Sequence, residues 1–264
     1  MFNQYKNCVR LDSRLAVVAG GAGLIGTEIV KCLCAFGADV VILDVAADRG
    51  EAVTREAAEQ GGSCRFDYCD LSAVPAITSE IARIEDSYGP MDVWVNCTYP
   101  RTADWNRKLE DVTPESWRAN VDMHMNGYCI SAGEVARRMA AREGGSIINV
   151  GSIQGQVAPD FRIYEGTDMT SPAAYTAIKG GIRMYSKYLA SYYGRRNVRV
   201  NVVSPGGIFN NQAEAFIARY SDKTCLGRLA SPQEIAPAVV FLASGAASYI
   251  TGLDLLVDGG LTAI

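Results

Sequence analysis

Tyr175 and Lys179 are the two side chains in this sequence best suited to moving a proton. In a helix, residues four apart share one face about one turn apart, where an ammonium can act on a phenol. A phenol titrates at about 10, but a neighbouring cation favours the phenolate and draws the pKa toward the working pH. Such a group serves as a general acid or base. Tyrosine and lysine also meet at this spacing on helices that do no chemistry, so the assignment depends on what the rest of the chain brings to the pair.

The elements that must hold the pair follow from hydrophobic periodicity. Leu15-Ala16-Val17-Val18-Ala19 is an apolar run ending in Gly20-Gly21-Ala22-Gly23-Leu24-Ile25-Gly26, and Thr27 to Phe36 then reads as a helix. Strand, glycine-rich turn and helix present helix N-terminal N–H groups to a pyrophosphate, and glycine lets phosphate approach where a β-carbon would intrude. Ala38 to Leu43 is a second buried strand, ending in Asp44, 24 residues after Gly20. An acid there is placed to accept hydrogen bonds from ribose hydroxyls and to repel a 2′-phosphate. With no arginine or lysine at 45–47, it favours NAD over NADP; a strand-end aspartate can also simply cap the next helix.

The alternation continues, with helices expected over 48–60, 72–88, 113–142, 172–193 and 232–243. Further strands are expected at 63–68, 91–96, 146–150, 198–203 and 253–257. Apolar strands alternating with amphipathic helices mean a parallel sheet covered on both faces. The expected fold class is therefore α/β, a single doubly wound Rossmann domain over residues 1–264 with seven parallel strands and an N-terminal extension at 1–12. In such sheets ligands gather at the carboxyl ends of strands. Gly20, Asp44, Asp70, Asn96, Ser152 and Pro205-Gly206 all lie at or just past strand ends.

Composition narrows the class further. The chain is 264 residues long, 48% hydrophobic and 20% charged, ordinary for a soluble globular protein. No apolar run approaches the ~18 residues of a membrane span, and Met1 to Leu15 lacks the apolar segment of a signal peptide. A net charge of -4 without a basic cluster argues against nucleic acid. The cysteines at 8, 32, 34, 64, 69, 97, 129 and 225 are scattered, with no Cys-x-x-Cys pair and one histidine, His124. No metal site is expected, and a reduced cytoplasmic setting is.

The chain resembles the short-chain dehydrogenase/reductase family over nearly its whole length. The matching pieces are the glycine turn at 20–26, Asp44, Asp70-Leu71, Asn96, Ser152, Tyr175 to Lys179, Asn201 to Ile208 with Ser204-Pro205-Gly206, and Thr251-Gly252 through Asp258-Gly259-Gly260. The resemblance implies that Tyr175 exchanges the proton, that Lys179 lowers its pKa and holds the nicotinamide ribose, and that Ser152 binds the substrate oxygen. It implies that Gly20, Gly23, Leu24, Ile25 and Gly26 line the pyrophosphate, Asp44 the adenosine ribose, Asp70 and Leu71 the adenine, and Asn96 the adjoining ribose. Pro205, Gly206 and Ile208 fall at the carboxamide end. The nicotinamide supplies the hydride chemistry and the protein supplies position.

Departures from the family pattern bear on substrate. The glycines at 20, 23 and 26 follow the three-residue spacing of the family's sugar-nucleotide branch, and Thr98-Tyr99 replaces Ala-Gly. The family's helix asparagine, which holds a relay water through its main chain, aligns with His124. A side-chain role would make His124 an extra acid/base group; packing is the alternative, and Asn120 is a rival for the register. Ser152 and Tyr175 are 23 residues apart, and the excess over compact members, 160–170, must lie over the active site. With Tyr99, Arg101, Trp105, Arg162 and Tyr164 it makes a wall suited to a polar hydroxylated substrate, or else a subunit contact or lid.

This combination resembles members of bacterial surface-sugar biosynthesis. The expected activity is NAD-dependent oxidoreduction of a secondary alcohol or ketone, of a sugar derivative. A 3-oxoacyl or small-carbonyl reductase and a non-catalytic cofactor-binding protein are the alternatives. The family implies a homodimer or homotetramer assembled through the helices at 113–142 and 172–193.

Overall fold

A computed structural model describes residue 5 and residues 7–264; residues 1–4 and 6 of the N-terminal extension lie outside the described residues. The described strands are β1 (Leu15–Ala19), β2 (Asp39–Asp44), β3 (Ser63–Tyr68), β4 (Val93–Asn96), β5 (Gly145–Val150), β6 (Val198–Pro205) and β7 (Asp254–Val257). They form one parallel sheet in the order β3-β2-β1-β4-β5-β6-β7. The strand order reverses between β1 and β4, which opens a crevice at their carboxyl ends.

Alternation along each strand sends side chains to opposite faces. Val18, Val40 and Val95 pack with Ile29 and Leu33 of α1 (Leu24–Ala35) and with Val239 and Leu242 of the helix Ala236–Ala243. Val17, Val41 and Trp94 pack on the other side with Ile81 of the helix Ile77–Tyr88 and with Val135, Met139 and Leu189. Both faces being covered explains why the central strands read as continuous apolar runs.

The register brings the candidate ligands to one edge. Ala19 is level with Leu43 on one side and Asn96 on the other, and Gly20 N–H donates to the Leu43 carbonyl at 2.8 Å. No helix among the described residues is long and apolar enough to cross a membrane.

Three expectations need adjustment. The stretch at 113–142 is divided into the helix Pro114–Asn120, a π-helical turn Val121–Asn126, and α5 (Gly127–Ala141). A β-carbon at Gly127 would stand 3.0 Å from the Leu71 carbonyl oxygen, so close packing accompanies the change of winding. The stretches at 72–88 and 232–243 each begin with a 3-10 turn, at Val74–Ala76 and Pro232–Glu234. A helix not expected from sequence, α7 (Glu214–Ser221), buries Phe216 and Tyr220.

Candidate active site

Tyr175 sits in the first turn of α6 (Ala173–Tyr193), whose Ala174, Ile178, Ile182 and Leu189 are buried at helical spacing. Lys179 lies one turn further on the same side and is buried. Ser152 follows β5 and caps a 3-10 turn, Ile153–Gly155, its Oγ accepting the Gln154 N–H at 3.1 Å. The structure therefore brings Ser152, Tyr175 and Lys179 together at the carboxyl edge of the sheet.

Their electrostatics are set by burial. The Tyr175 phenol is pushed above its ordinary value by burial first and by the nearby Tyr99, while a hydrogen bond from Ser152 opposes the rise. This direction is opposite to the one expected from Lys179. The Lys179 ammonium donates to the Val150 carbonyl at 2.9 Å and lies 5.8 Å from the Tyr175 ring centre. Burial lowers Lys179 itself to about 8.

His124 occupies the π-helical turn and is fully buried, with neither Nδ1 nor Nε2 hydrogen-bonded to any described group. Burial, then the charge of Lys179, holds it well below the ordinary histidine value, so the imidazole is neutral. Its ring centre lies 5.4 Å from Tyr99, 5.5 Å from Tyr128 and 6.5 Å from Tyr175. Asn120, its rival in sequence, does a different job. Its Oδ1 accepts the Thr102 N–H at 3.0 Å and its Nδ2 donates to Thr102 Oγ1 at 2.7 Å.

That tie fixes the loop bearing the aromatic wall. Trp105 Nε1 donates to the Tyr99 hydroxyl at 2.9 Å, and both rings meet Tyr175 edge-on at 5.9 and 6.1 Å. Arg101 places its guanidinium 5.0 Å from the Tyr99 ring centre, a cation–π contact at the exposed rim.

The 160–170 segment packs on α7. Ile163 joins Phe216, Tyr220 and Leu229 in a small core, and Tyr164 stacks on Phe216 at 5.5 Å. Asp160 pairs with Lys223, and Arg219 donates to the Glu165 carbonyl. Arg162 pairs with Asp160 at 2.8 Å, with its side chain 74% exposed. Tyr164 faces inward: its phenol reaches Gln154 and Ser171, and its field contributes to raising Tyr175. Gln154, Ser171 and Tyr128 were not singled out from sequence; the only signal was position, two residues after Ser152, four before Tyr175 and four after His124.

The crevice beside these groups fits a dinucleotide. Gly20 has φ +78°, and a β-carbon on it would stand 2.7 Å from the Cys97 carbonyl carbon; one on Gly26 would overlap the Gly20 carbonyl oxygen. Gly23 caps α1, where Leu24 is exposed and Ile25 half-buried. The Asp44 carboxylate accepts the Ala22 N–H on one oxygen and the Ala46 N–H on the other, each at 3.0 Å. The carboxylate thus stands beside the turn that would hold phosphate.

The remaining expected cofactor contacts divide. Asp70 is exposed and accepts both the N–H and the hydroxyl of Ser72, while Leu71 is buried. Asn96 turns its side chain inward, donating to Ser131 Oγ at 3.0 Å and accepting from the Thr98 hydroxyl at 3.0 Å, so only its backbone reaches the edge. Pro205 and Gly206 end β6, where Gly206 N–H donates to the Val257 carbonyl at 3.0 Å, and Ile208 bridges Ala230. No group of His, Cys, Asp or Glu among the described residues could hold a metal ion.

The chain is similar to known proteins over nearly its whole length. The family model described as "Enoyl-(Acyl carrier protein) reductase" matches residues 20–262. The chain is 28% identical to post-translational flagellin modification protein A of Campylobacter coli, over 95% of this chain and 98% of that one. It is 32% identical to the L-tagatose-forming galactitol 2-dehydrogenase of Cereibacter sphaeroides, over 98% of each. Among solved structures, a gluconate 5-dehydrogenase from Burkholderia cenocepacia, in complex with NADP and tartrate, superposes with a TM-score of 0.87 at 28% identity, covering 98% of both chains.

Proposed function

The chain belongs to the short-chain dehydrogenase/reductase family and is an oxidoreductase of CH–OH groups that binds NAD(P), and from that premise we propose that it is an NAD-dependent dehydrogenase of a secondary hydroxyl on a polyol or other sugar derivative. The observation that carries the reading is the convergence of Ser152, Tyr175 and Lys179 on the sheet edge that also bears the glycine turn and Asp44. The polyol relative supports the substrate class. Asp44 supports NAD, because its carboxylate repels a 2′-phosphate; the gluconate relative's NADP marks the opposing case.

In this reading the Ser152 hydroxyl donates to the substrate oxygen and Tyr175 receives its proton during oxidation, returning it in reduction. A nicotinamide held by this crevice would supply the hydride chemistry at the substrate carbon. Lys179 steadies the phenolate and holds the adjoining ribose, and Gly20, Gly23, Leu24, Ile25 and Gly26 line the pyrophosphate. Asp70 and Leu71 lie toward the adenine, Asn96 toward the second ribose, and Pro205, Gly206 and Ile208 toward the carboxamide. His124 is an additional acid/base group beside Tyr175, since a neutral imidazole offers one donor and one acceptor. Tyr99, Arg101 and Tyr164 face the substrate.

The enzyme works as a homo-oligomer, dimer or tetramer, through α5 and α6. Met184, Tyr188 and Tyr192 are more than half exposed on α6, and Tyr185, Tyr188 and Tyr192 stack along it at 5.9 Å. Eight free thiols fit a reducing cytoplasm.

The test is a panel of polyols, sugar acids and acyl ketones read through NADH and NADPH absorbance, alongside Tyr175→Phe. Turnover of a polyol with NAD, lost by at least about 100-fold in Tyr175→Phe while NADH still binds, is expected. Preference for 3-oxoacyl thioesters, the activity nearest the matched family description, would replace the substrate assignment. NADH binding without turnover of any compound would make the chain a cofactor-binding protein.

A further inference from the structure

The polar side of the pocket is built around one carboxamide. Gln154 is two residues past Ser152 and gives its own backbone N–H to the Ser152 oxygen, so its side chain leaves the backbone beside the group that holds the substrate oxygen. Its Oε1 accepts the Ser171 hydroxyl at 2.7 Å, and Ser171 is only 7% exposed, so water competes poorly for that bond. Tyr164, stacked on Phe216 at 5.5 Å, has its phenol pushed up by burial, and hydrogen bonding with Gln154 and Ser171 opposes the rise. A carboxamide has one acceptor oxygen and two N–H donors. Ser171 takes the oxygen, which leaves the N–H groups of the same amide to donate elsewhere, two residues along the chain from Ser152. Tyr99 and Trp105 meet Tyr175 edge-on and supply the apolar groups beside its phenol.

We propose that Gln154 is the specificity-determining residue, donating to a hydroxyl on the carbon next to the one oxidised, so that the enzyme selects vicinal diols and polyols over isolated secondary alcohols. This rests on the dehydrogenase reading above. An isolated alcohol satisfies Ser152 and Tyr175 but leaves the half-buried amide N–H without a partner, and a site built to bond a hydroxyl strongly rejects the analogue lacking it.

The experiment compares a four-carbon tetrol with butan-2-ol in the full-length protein, by steady-state kinetics with NAD and by equilibrium titration of tryptophan fluorescence, to which Trp105 in the pocket wall contributes. In Gln154→Met the tetrol-to-butanol ratio of kcat/KM, and of affinity, is expected to fall by about 10- to 100-fold. Ser171→Ala, which frees the amide without removing it, should move both ratios the same way by less. Equal losses for both alcohols, an unchanged ratio, or a wild-type protein that fails to favour the tetrol in binding would overturn the proposal. Tetrol binding that depends on Gln154 without hydride transfer supports it and defeats the dehydrogenase reading instead.

Discussion

Gly155 lies so close to Lys179 that a β-carbon on it would stand 2.9 Å from the Lys179 carbonyl oxygen and 3.0 Å from the carbonyl carbon. The turn carrying Ser152 is thereby keyed to the backbone of the helix carrying Tyr175. Gly155→Ala has to separate them, since neither neighbour is a flexible side chain. A sub-ångström displacement of a positioned group is costly, so kcat/KM should drop by about 10- to 100-fold with an unchanged far-UV circular dichroism spectrum. Full activity in this variant would show that the turn tolerates the shift.

Lys179 carries its charge below about 8 and loses it above, because burial disfavours the ammonium. Reduction needs both the phenol of Tyr175 and a charged neighbour, so kcat/KM for ketone reduction should fall as pH rises through this value, approaching about tenfold per pH unit. Lys179→Arg keeps its charge, so it should lower the plateau and remove the descending limb. A limb that persists in the arginine variant would assign the ionisation elsewhere.

His124 is a stability cost retained beside the chemistry. A buried polar group without a partner costs about 1–3 kcal/mol, so His124→Phe should leave Tm unchanged or raised while lowering kcat. The folded-state pKa lies well below the ordinary value of 6.5, so the unfolded chain binds the proton first as pH falls. The wild type should therefore lose stability below about 6.5, and the phenylalanine variant should lose less. Scanning fluorimetry from neutral to acid pH, with kcat in parallel, reads both effects; lower Tm with unchanged kcat would make His124 a packing residue only.

The tyrosine ladder on α6 offers a direct handle on assembly. Tyr188→Glu with Tyr192→Glu places charge on the exposed face of that helix, and multi-angle light scattering should report a smaller species than the wild type. An unchanged mass would move the interface to another surface.

The sheet was legible in the sequence because central parallel strands are buried on both faces, and runs such as Leu15–Ala19 and Val93–Asn96 need no alternation to be recognised. Spacing singled out Tyr175 and Lys179 and a strand end singled out Ser152, while the roles expected of them came from the family resemblance. What escaped was tertiary. The rise in Tyr175 comes first from burial and then from the field of Tyr99, contributed by a distant loop, neither of which the i+4 cation announces. The π-helical winding around His124 leaves no residue-type signature. α7 buries Phe216 and Tyr220 against Ile163, Tyr164 and Leu229, a surface completed by the folding of distant segments. Arg162, singled out for the substrate because it is charged and lies within the 160–170 segment, has Asp160 as its partner, a pairing that spacing alone does not announce.

Asp44 holds the backbone N–H groups of Ala22 and Ala46, and in the proposed function it also takes the adenosine ribose. Reading the nucleotide and shaping the loop that receives it are therefore one task shared by a single carboxylate. Replacing that side chain with a small neutral one, the obvious first step toward accepting a phosphorylated ribose, also unpins the glycine turn. Evolution or engineering toward the other dinucleotide has to supply a new acceptor for those two amides together with a new cation, so the switch calls for concerted change where a lone substitution yields an enzyme poor with either coenzyme.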